Sequence, residues 1–531
     1  MKMLYKILLS AMVLLTPSLM AFSQTFEQLY DADSTLDYGT DIFIRPDSSY
    51  MIIGHSEKAT FQHHQLMTMT ISDNGIYKTS VHLFPFGIGD CYTGNAGAAK
   101  RLGNGSYLAP ITIQTASTVV EYRRNSTCGL AKFNADGDTV FVKTYNDTNT
   151  YFTVGYDCAV MPDGGYMLAG TLDSFVHPDS ASINVGLLIR TDSNGNELWQ
   201  RTYNKLPGLA TNIRSVAPLD SNRTLIGASC VYITPEGGGS FLTSKQPWFF
   251  IIDNEGNILR DTLYGLSPYY GEYINVDKNG GYFIYGALDY YPDPDLGSVE
   301  DIPAFFAHLD TDFNMTWIDT LHYSHYFGKR EPYSIRQTRD SGYVMAGIVY
   351  TDLTDPSNPQ PSGWTGKIDK HGTLLWNKYH AGDSTGADEI ADVAERADGS
   401  LIFCGDAWND SLPIWHIDQD VWLISTDSNG CLTPGCDPDT TDLTTSVPQV
   451  VAATTLLVYP NPSTGTLIIQ TNSEGDFYLY NIMGQSAGKY TVRTGETVIS
   501  LSSSLASGTY IGKYILANGK DANEVRIVLD R

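Results

Sequence analysis

Paired carboxylates carry out acid–base chemistry on glycosidic bonds, so acidic side chains grouped with aromatic ones are the first residues to weigh. Asp293 and Asp295 follow Tyr290 and Tyr291, and Asp410 lies between Trp408 and Trp415. Aromatic platforms beside carboxylates suit sugars or basic protein patches, and these seven residues form the candidate binding-face set. Most other aspartates recur in register at Gly-containing turns, where the side chain bonds its own backbone. Asp192-Ser-Asn-Gly-Asn-Glu197 looks like a calcium loop but lacks the acidic spacing and closing Glu of one. No metal site and no cofactor is assigned, with weak, carbonyl-rich calcium binding left open. His322-Tyr-Ser-His325 and His63-His64 do not make a His-Glu-x-x-His pattern. No Gly-x-Ser-x-Gly elbow, phosphate loop or Cys–His protease pattern stands out, so no catalytic residue is named.

These side chains need a frame, and the frame is a repeat. A turn followed by an aromatic strand reads Asp163-Gly-Gly-Tyr-Met-Leu-Ala-Gly170, Asn279-Gly-Gly-Tyr-Phe-Ile-Tyr-Gly286 and Asp340-Ser-Gly-Tyr-Val-Met-Ala-Gly347. Weaker copies end at Gly54, Ile111, Ala228 and Gly405, which gives successive spacings of 57, 59, 58, 58, 61 and 58 residues. A second signature keeps the same period: Asp192-Ser-Asn-Gly195, Asp253-Asn-Glu-Gly256, Asp369-Lys-His-Gly372 and Asp427-Ser-Asn-Gly430. Related copies end at Gly75, Gly137 and Phe313. Each unit reads as four strands; in the third they are 158–161, 166–170, 186–191 and 197–203. Four-stranded units repeated radially predict an all-β, seven-bladed β-propeller over residues 24–436. The last unit lacks a fourth strand, and Phe26-Glu-Gln-Leu-Tyr30 has the aromatic spacing of that strand. Residues 25–30 are therefore expected to complete the seventh blade beside 421–425.

Known propeller enzymes carry marks in their repeats. A sialidase-type Asp box puts Gly three residues before Trp, whereas Gly195 precedes Trp199 by four, as Gly372 precedes Trp376. Quinoprotein repeats place Gly four residues after Asp, and Asp192 to Gly195 is three. Blade packing is the better reading of these tryptophans. The long insertions fall between second and third strands, at 173–184, 231–246, 289–303, 350–362 and 406–419, and so emerge on one face.

Composition sets the surroundings. There are 33 basic and 59 acidic residues, a net of −26, which excludes nucleic acid as a partner. Lys2 and Lys6 precede an apolar run over 7–19, then Ala21-Phe22-Ser23, so residues 1–23 read as a signal peptide. No later stretch approaches the ~20 apolar residues of a membrane-spanning helix. Seven cysteines leave at least one unpaired. Cys431 and Cys436 flank a Pro-Gly turn, where a disulfide is favoured over zinc because no other ligand pair is near.

After a patternless linker at 437–455, residues 456–531 form short alternating strands with zero net charge, six basic against six acidic side chains. They read as a small antiparallel, Ig-like β-sandwich. Tyr459-Pro460-Asn461-Pro462 opens the segment, Asn-Ile-Met-Gly484 ends a strand, and Ser-Gly508-Thr-Tyr510 starts another before a basic final strand. In this order the set resembles the type A C-terminal sorting domain of the type IX (Por) secretion system of Bacteroidetes. The body resembles the propeller repeats found ahead of such domains. The resemblance implies export across both membranes by partnership with the type IX machinery, then surface attachment or release. Two functions fit the body: a non-catalytic binding or adhesion scaffold for glycan or protein, and a glycan-active hydrolase or lyase on the long-loop face.

Overall fold

The computed structural model describes residues 25–32, 36–58, 63–84, 90–116, 124–145, 152–174, 183–205, 210–236, 240–264, 268–288, 301–321, 328–351, 360–380, 388–408, 419–433, 436, 456–459, 463–471, 473–481, 485–517 and 521–529. The expected signal peptide (1–23) and linker (437–455) lie outside these. Every described element is a strand, and among the described residues no helix is long and apolar enough to cross a membrane. The chain divides into two units, Met1–Thr445 and Ser446–Arg531.

In the first unit the strands form successive antiparallel meanders of four. They begin with Leu36–Ile44, Tyr50–Lys58, His63–Ile71 and Lys78–Phe84. The next has a first strand broken into Asp90–Thr93 and Lys100–Arg101, then Tyr107–Ala116, Arg124–Phe133 and Thr139–Thr144. Phe152–Val160, Tyr166–Ser174, Ile183–Thr191 and Glu197–Tyr203 follow, then Ala210–Pro218, Thr224–Glu236, Ser240–Ile252 and Ile258–Leu263. After these come Pro268–Val276, Tyr282–Leu288, Ala304–Leu309 and Met315–Leu321, then Gly328–Gln337, Tyr343–Thr351, Gln360–Ile368 and Leu374–His380. The last meander has Glu389–Glu395, Leu401–Trp408 and Gln419–Thr426. Its outer strand is the N-terminal Phe26–Tyr30, paired antiparallel from Phe26 opposite Ser425 to Tyr30 opposite Val421.

The apolar core lies between neighbouring sheets. Met167 and Leu188 of one meander pack with Ile226, Trp248 and Phe250 of the next. Ile402 and Leu423 of the last pack with Ile52, Met67 and Met69 of the first, so the ring of sheets closes: the body is a β-propeller. One 231–246 expectation changes. The insertion there is strand and not loop, an extension of the hairpin of Thr224–Glu236 and Ser240–Ile252, paired from Thr224–Ile252 out to Glu236–Ser240.

Each repeat signature has a packing cause. A tyrosine at the end of an outer strand, or directly after it, reaches into the next meander and donates its hydroxyl to the carbonyl at the left-handed turn position. Tyr145 bonds Gly195 O at 3.0 Å and Tyr203 bonds Gly256 O at 2.8 Å. Tyr264 does the same to Phe313 O, and Tyr30 to Gly75 O. Ring faces lie against the same turns, Phe141 at Gly195, Trp317 at Gly372, Trp376 at Gly430 and Phe26 at Gly75. Phe26 and Tyr30 thus make the same latch that internal outer strands make.

The closing glycine of the first signature answers a bulge in the first strand. Register shifts occur at Gly39/Asp41, Gly155/Asp157, Pro332/Ser334 and Ile390/Asp392. Opposite them a Cβ on Gly54, Gly170, Gly347 or Gly405 would overlap the carbonyl oxygen of Tyr38, Val154, Glu331 or Glu389. Five cysteines, Cys91, Cys128, Cys158, Cys230 and Cys404, are free and buried, while Cys431 and Cys436 are joined as a disulfide with Cα atoms 5.8 Å apart. Burial holds the Cys91, Cys128, Cys158 and Cys404 thiols above their ordinary range, which makes them poor nucleophiles.

The second unit is a three-stranded sheet (Leu456–Tyr459, Thr466–Thr471, Gly495–Ser500) and a four-stranded one (Gly475–Asn481, Ser486–Val492, Gly508–Leu516, Asp521–Leu529). Leu467, Ile469 and Ile499 from one sheet share a core with Phe477, Leu479, Tyr514 and Ile527 from the other, a small sandwich.

Candidate functional site

The bulges matter because an extra residue in a strand re-aims its neighbours. Each bulge is followed by a short polar residue that bonds the first strand of the next meander. Asp41 Oδ1 accepts from Ala99 N at 2.7 Å, Asp157 Oδ2 from Val216 N at 2.9 Å, and Ser215 Oγ from Ile274 N at 3.0 Å. Ser334 Oγ donates to Asp392 Oδ1 at 2.6 Å, and Asp392 Oδ2 accepts from Ile42 N at 3.3 Å. First strands therefore bond first strands around the axis, and the ring joins the last meander to the first.

The axis itself is filled by the turn between Asp90–Thr93 and Lys100–Arg101. Asn95 N donates to Tyr156 O at 2.8 Å, and Gly97 N to Thr40 O at 3.0 Å. Asn95 Nδ2 reaches Arg214 O at 3.2 Å, while the Arg336 guanidinium meets Gly97 O at 3.0 Å. Gly97 is left-handed at φ 72°, and a Cβ there would lie 2.7 Å from Ser334 Oγ, so only glycine fits. The charges at this level are compensated. Arg336 grips buried Asp392 through two N–H bonds of 3.0 and 2.9 Å, and Lys100 Nζ bonds Asp157 Oδ1 at 3.0 Å. Burial first, and then Asp392, push the Asp41 carboxyl up to about 7.

About 10 Å along the strands from this plug, at three residues' rise, lies the end from which the long insertions leave. There Tyr38, Tyr333 and Tyr350 gather with Glu331, Glu389 and Asp406 from the first meander and the last two. Burial and then Asp406, Glu57 and Glu389 hold the Tyr38 hydroxyl above its ordinary range. Burial and then Glu389, Glu331, Tyr350 and Asp406 do the same to Tyr333, and burial with Glu331 and Glu389 to Tyr350. Glu389 and Asp406 are opposite partners in the ladder, where like charges repel. Burial first, and then Glu389, hold Asp406 well above the carboxylate range, and Gln419 Nε2 donates to it. Beside this cluster Tyr38 stacks on His55 at 4.7 Å, and His64 lies 4.6 Å from the Tyr92 ring. Burial, then His64, lower His55 to about 3, so it is a neutral ring at ordinary pH.

Acidic oxygens next to neutral phenols and imidazole can accept from sugar hydroxyls, pair with Lys or Arg, and offer ring faces for stacking. Of the residues singled out from the sequence, the structure describes Trp408, half-buried at the end of Leu401–Trp408, its amide donating to Asp388 Oδ1 at 3.1 Å. Tyr290, Tyr291, Asp293, Asp295, Asp410 and Trp415 lie outside the described residues. The Tyr38–Asp406 cluster escaped the sequence reading because its members come from strands some 350 residues apart. One signal was available: Tyr38, Glu331 and Glu389 each stand three residues before a bulge-following Asp41, Ser334 or Asp392, in register with the repeat.

In the second unit Gly508 opens its strand with a positive φ, and Tyr510 OH donates to Ala506 O at 2.8 Å. Tyr459 ends Leu456–Tyr459, while Pro460, Asn461, Pro462 and Gly484 lie outside the described residues. Buried Ser463, just after them, donates its amide to Val528 O at 2.8 Å and ties the entry of the domain to its final strand.

Residues 457–528 match the family model described as secretion system C-terminal sorting domain. Among curated proteins nothing matches the chain. Solved structures similar to it include the β-propeller domain of the Trilobed protease from Pyrococcus furiosus, at 6% identity and TM-score 0.36, covering 77% of this chain and 99% of that one. The acylaminoacyl peptidase of Pyrococcus horikoshii is similar at 8% identity and TM-score 0.37, over 83% and 59% of the two chains. A surface component of the type-IX secretion system of Porphyromonas gingivalis is similar at 8% identity and TM-score 0.17, over 95% and 100%. At these values none of the three transfers an activity. Residues 457–528 are a type IX secretion C-terminal sorting domain, carried behind a β-propeller body.

Proposed function

We propose that this protein is a seven-bladed binding propeller that enters the periplasm by a signal peptide at residues 1–23, leaves by the type IX route, and recognises a glycan or protein ligand outside the cell. The observation that carries this reading is the tyrosine–carboxylate cluster of Tyr38, Tyr333, Tyr350, Glu331, Glu389 and Asp406 above the plugged axis. The long segments 289–303, 350–362 and 406–419 start or end at the same edge, so Tyr290, Tyr291, Asp293, Asp295, Trp408, Asp410 and Trp415 belong to the same proposed face.

Asp406 favours a second reading. A carboxyl that burial, and then the neighbouring Glu389 carboxylate, raise well above the ordinary range is the kind of pairing a glycan-active hydrolase or lyase uses. One experiment weighs both. The mature chain is screened against immobilised polysaccharides and matrix proteins, and each hit is assayed for cleavage. Tyr333→Ala and Glu389→Gln are expected to weaken the hit at least tenfold, and Asp406→Asn to weaken it without revealing turnover. Turnover abolished by Asp406→Asn with binding kept would make the protein an enzyme. Binding untouched by all three changes would remove the cluster from the site.

A further inference from the structure

We propose that Asp31, Asp37 and Asp420 hold a calcium ion at the seam where the ring of sheets closes. One carboxylate oxygen from each lies within 4.8 Å of the others. Two oxygens on one calcium, each at about 2.4 Å, stand no further apart than that. The three residues come from the two ends of the ring. Asp31 directly follows Tyr30, the last residue of the N-terminal strand, and Asp420 directly precedes Val421, its ladder partner. Asp37 lies in Leu36–Ile44, whose first residue bridges Gln419 in parallel.

A group of acids is not a site by its presence alone, and Asp37 supplies the second observation. It is fully buried, at 0% exposure. Its Oδ2 is fixed by the Ala32 amide at 2.5 Å, while its Oδ1 has no hydrogen-bond partner. The Ser56 hydroxyl, also buried, lies across the ladder from Asp37. An ionised oxygen buried in that state costs several kcal/mol unless a cation meets it.

The donors are all oxygen, which selects a hard cation over zinc or copper. Calcium accepts an irregular set of carboxylates completed by water, whereas magnesium demands a near-ideal octahedron. Because the ligands span the N-terminal strand, the first meander and the last, an ion bound to all three favours the closed ring over the open one. Loading therefore raises thermal stability by mass action.

The test uses the full mature chain, stripped with chelator and titrated with calcium chloride by calorimetry, with thermal midpoints recorded in calcium and in chelator. One saturable site is expected, together with a higher midpoint in calcium and little response to magnesium. Asp420→Asn and the exposed-residue change Asp31→Asn should each weaken calcium binding at least tenfold. Asp31→Asn guards against misfolding, since Asp31 is solvent-exposed. A chain that takes up no calcium and melts alike in calcium and chelator would overturn the proposal. So would binding that survives both substitutions unchanged.

Discussion

A chain lacking residues 25–31 melts about 10 °C below the intact protein and aggregates on standing. The segment supplies the whole outer strand of the last meander, pairing Phe26 through Tyr30 with Ser425 through Val421. Tyr30 is 6% exposed and latches Gly75 O, and Phe26 lies against the left-handed Gly75 turn. Burying two aromatic side chains contributes about 2 kcal/mol each, and the hydroxyl bond about 1 kcal/mol. In a domain of this size each kcal/mol moves the midpoint by roughly 2 °C. Removal also bares the Gln419–Thr426 edge, a row of unpaired backbone groups that pairs with other chains. Tyr30→Phe isolates the latch and should cost only about 1 kcal/mol. A truncated chain that melts like its parent would mean the ring closes without this strand.

Arg336→Met has the second large effect, about 3–5 kcal/mol. The change leaves Asp392, 0% exposed, and Asp41, 1% exposed, side by side with no guanidinium between them. It also strips a donor from Gly97 O and so loosens the axial plug. The same site makes stability depend on pH. The Asp41 carboxyl stands at about 7 in the folded protein, above the roughly 3.9 of an unfolded chain. A raised carboxyl contributes stability that is fully present below the unfolded value and is lost as pH rises through the folded one. Asp406, also held high, adds in the same direction. The thermal midpoint of the intact protein should therefore rise between pH 8 and pH 5. Asp41→Asn should flatten that slope, and Arg336→Met should steepen it, since Arg336 holds the Asp41 value down. A flat profile in the intact protein, or an unchanged slope in Asp41→Asn, contradicts this reading of the plug.

Much of the frame could be read from the residues because its packing rules repeat. The glycine at 54, 170, 347 and 405 is demanded by a bulged strand opposite, and the aspartate turns are demanded by latching tyrosines, so both recur at the repeat length. Strand limits were less legible. The third meander begins at Phe152, six residues before the start expected at 158, because the inner strand continues past its bulge at Gly155/Asp157. Val231–Gln246 looked like a long loop between the second and third strands, yet its residues extend a hairpin. The plug had no signal at all: Gly94 through Ala99 look like any Gly-rich turn, and their partners Thr40, Tyr156, Arg214 and Arg336 come from four other meanders. The tyrosine–carboxylate cluster is likewise a product of ring closure, which brings Tyr38 to Asp406.

The most direct measurement is fractionation of cells with a working type IX machinery that express the full chain or a chain ending before residue 457. The full chain should appear outside the outer membrane, on the surface or in the medium. The shortened chain should remain in the periplasm with its ring folded, as judged by an unchanged thermal midpoint of the body. Equal export of both chains would contradict a propeller delivered by its C-terminal domain.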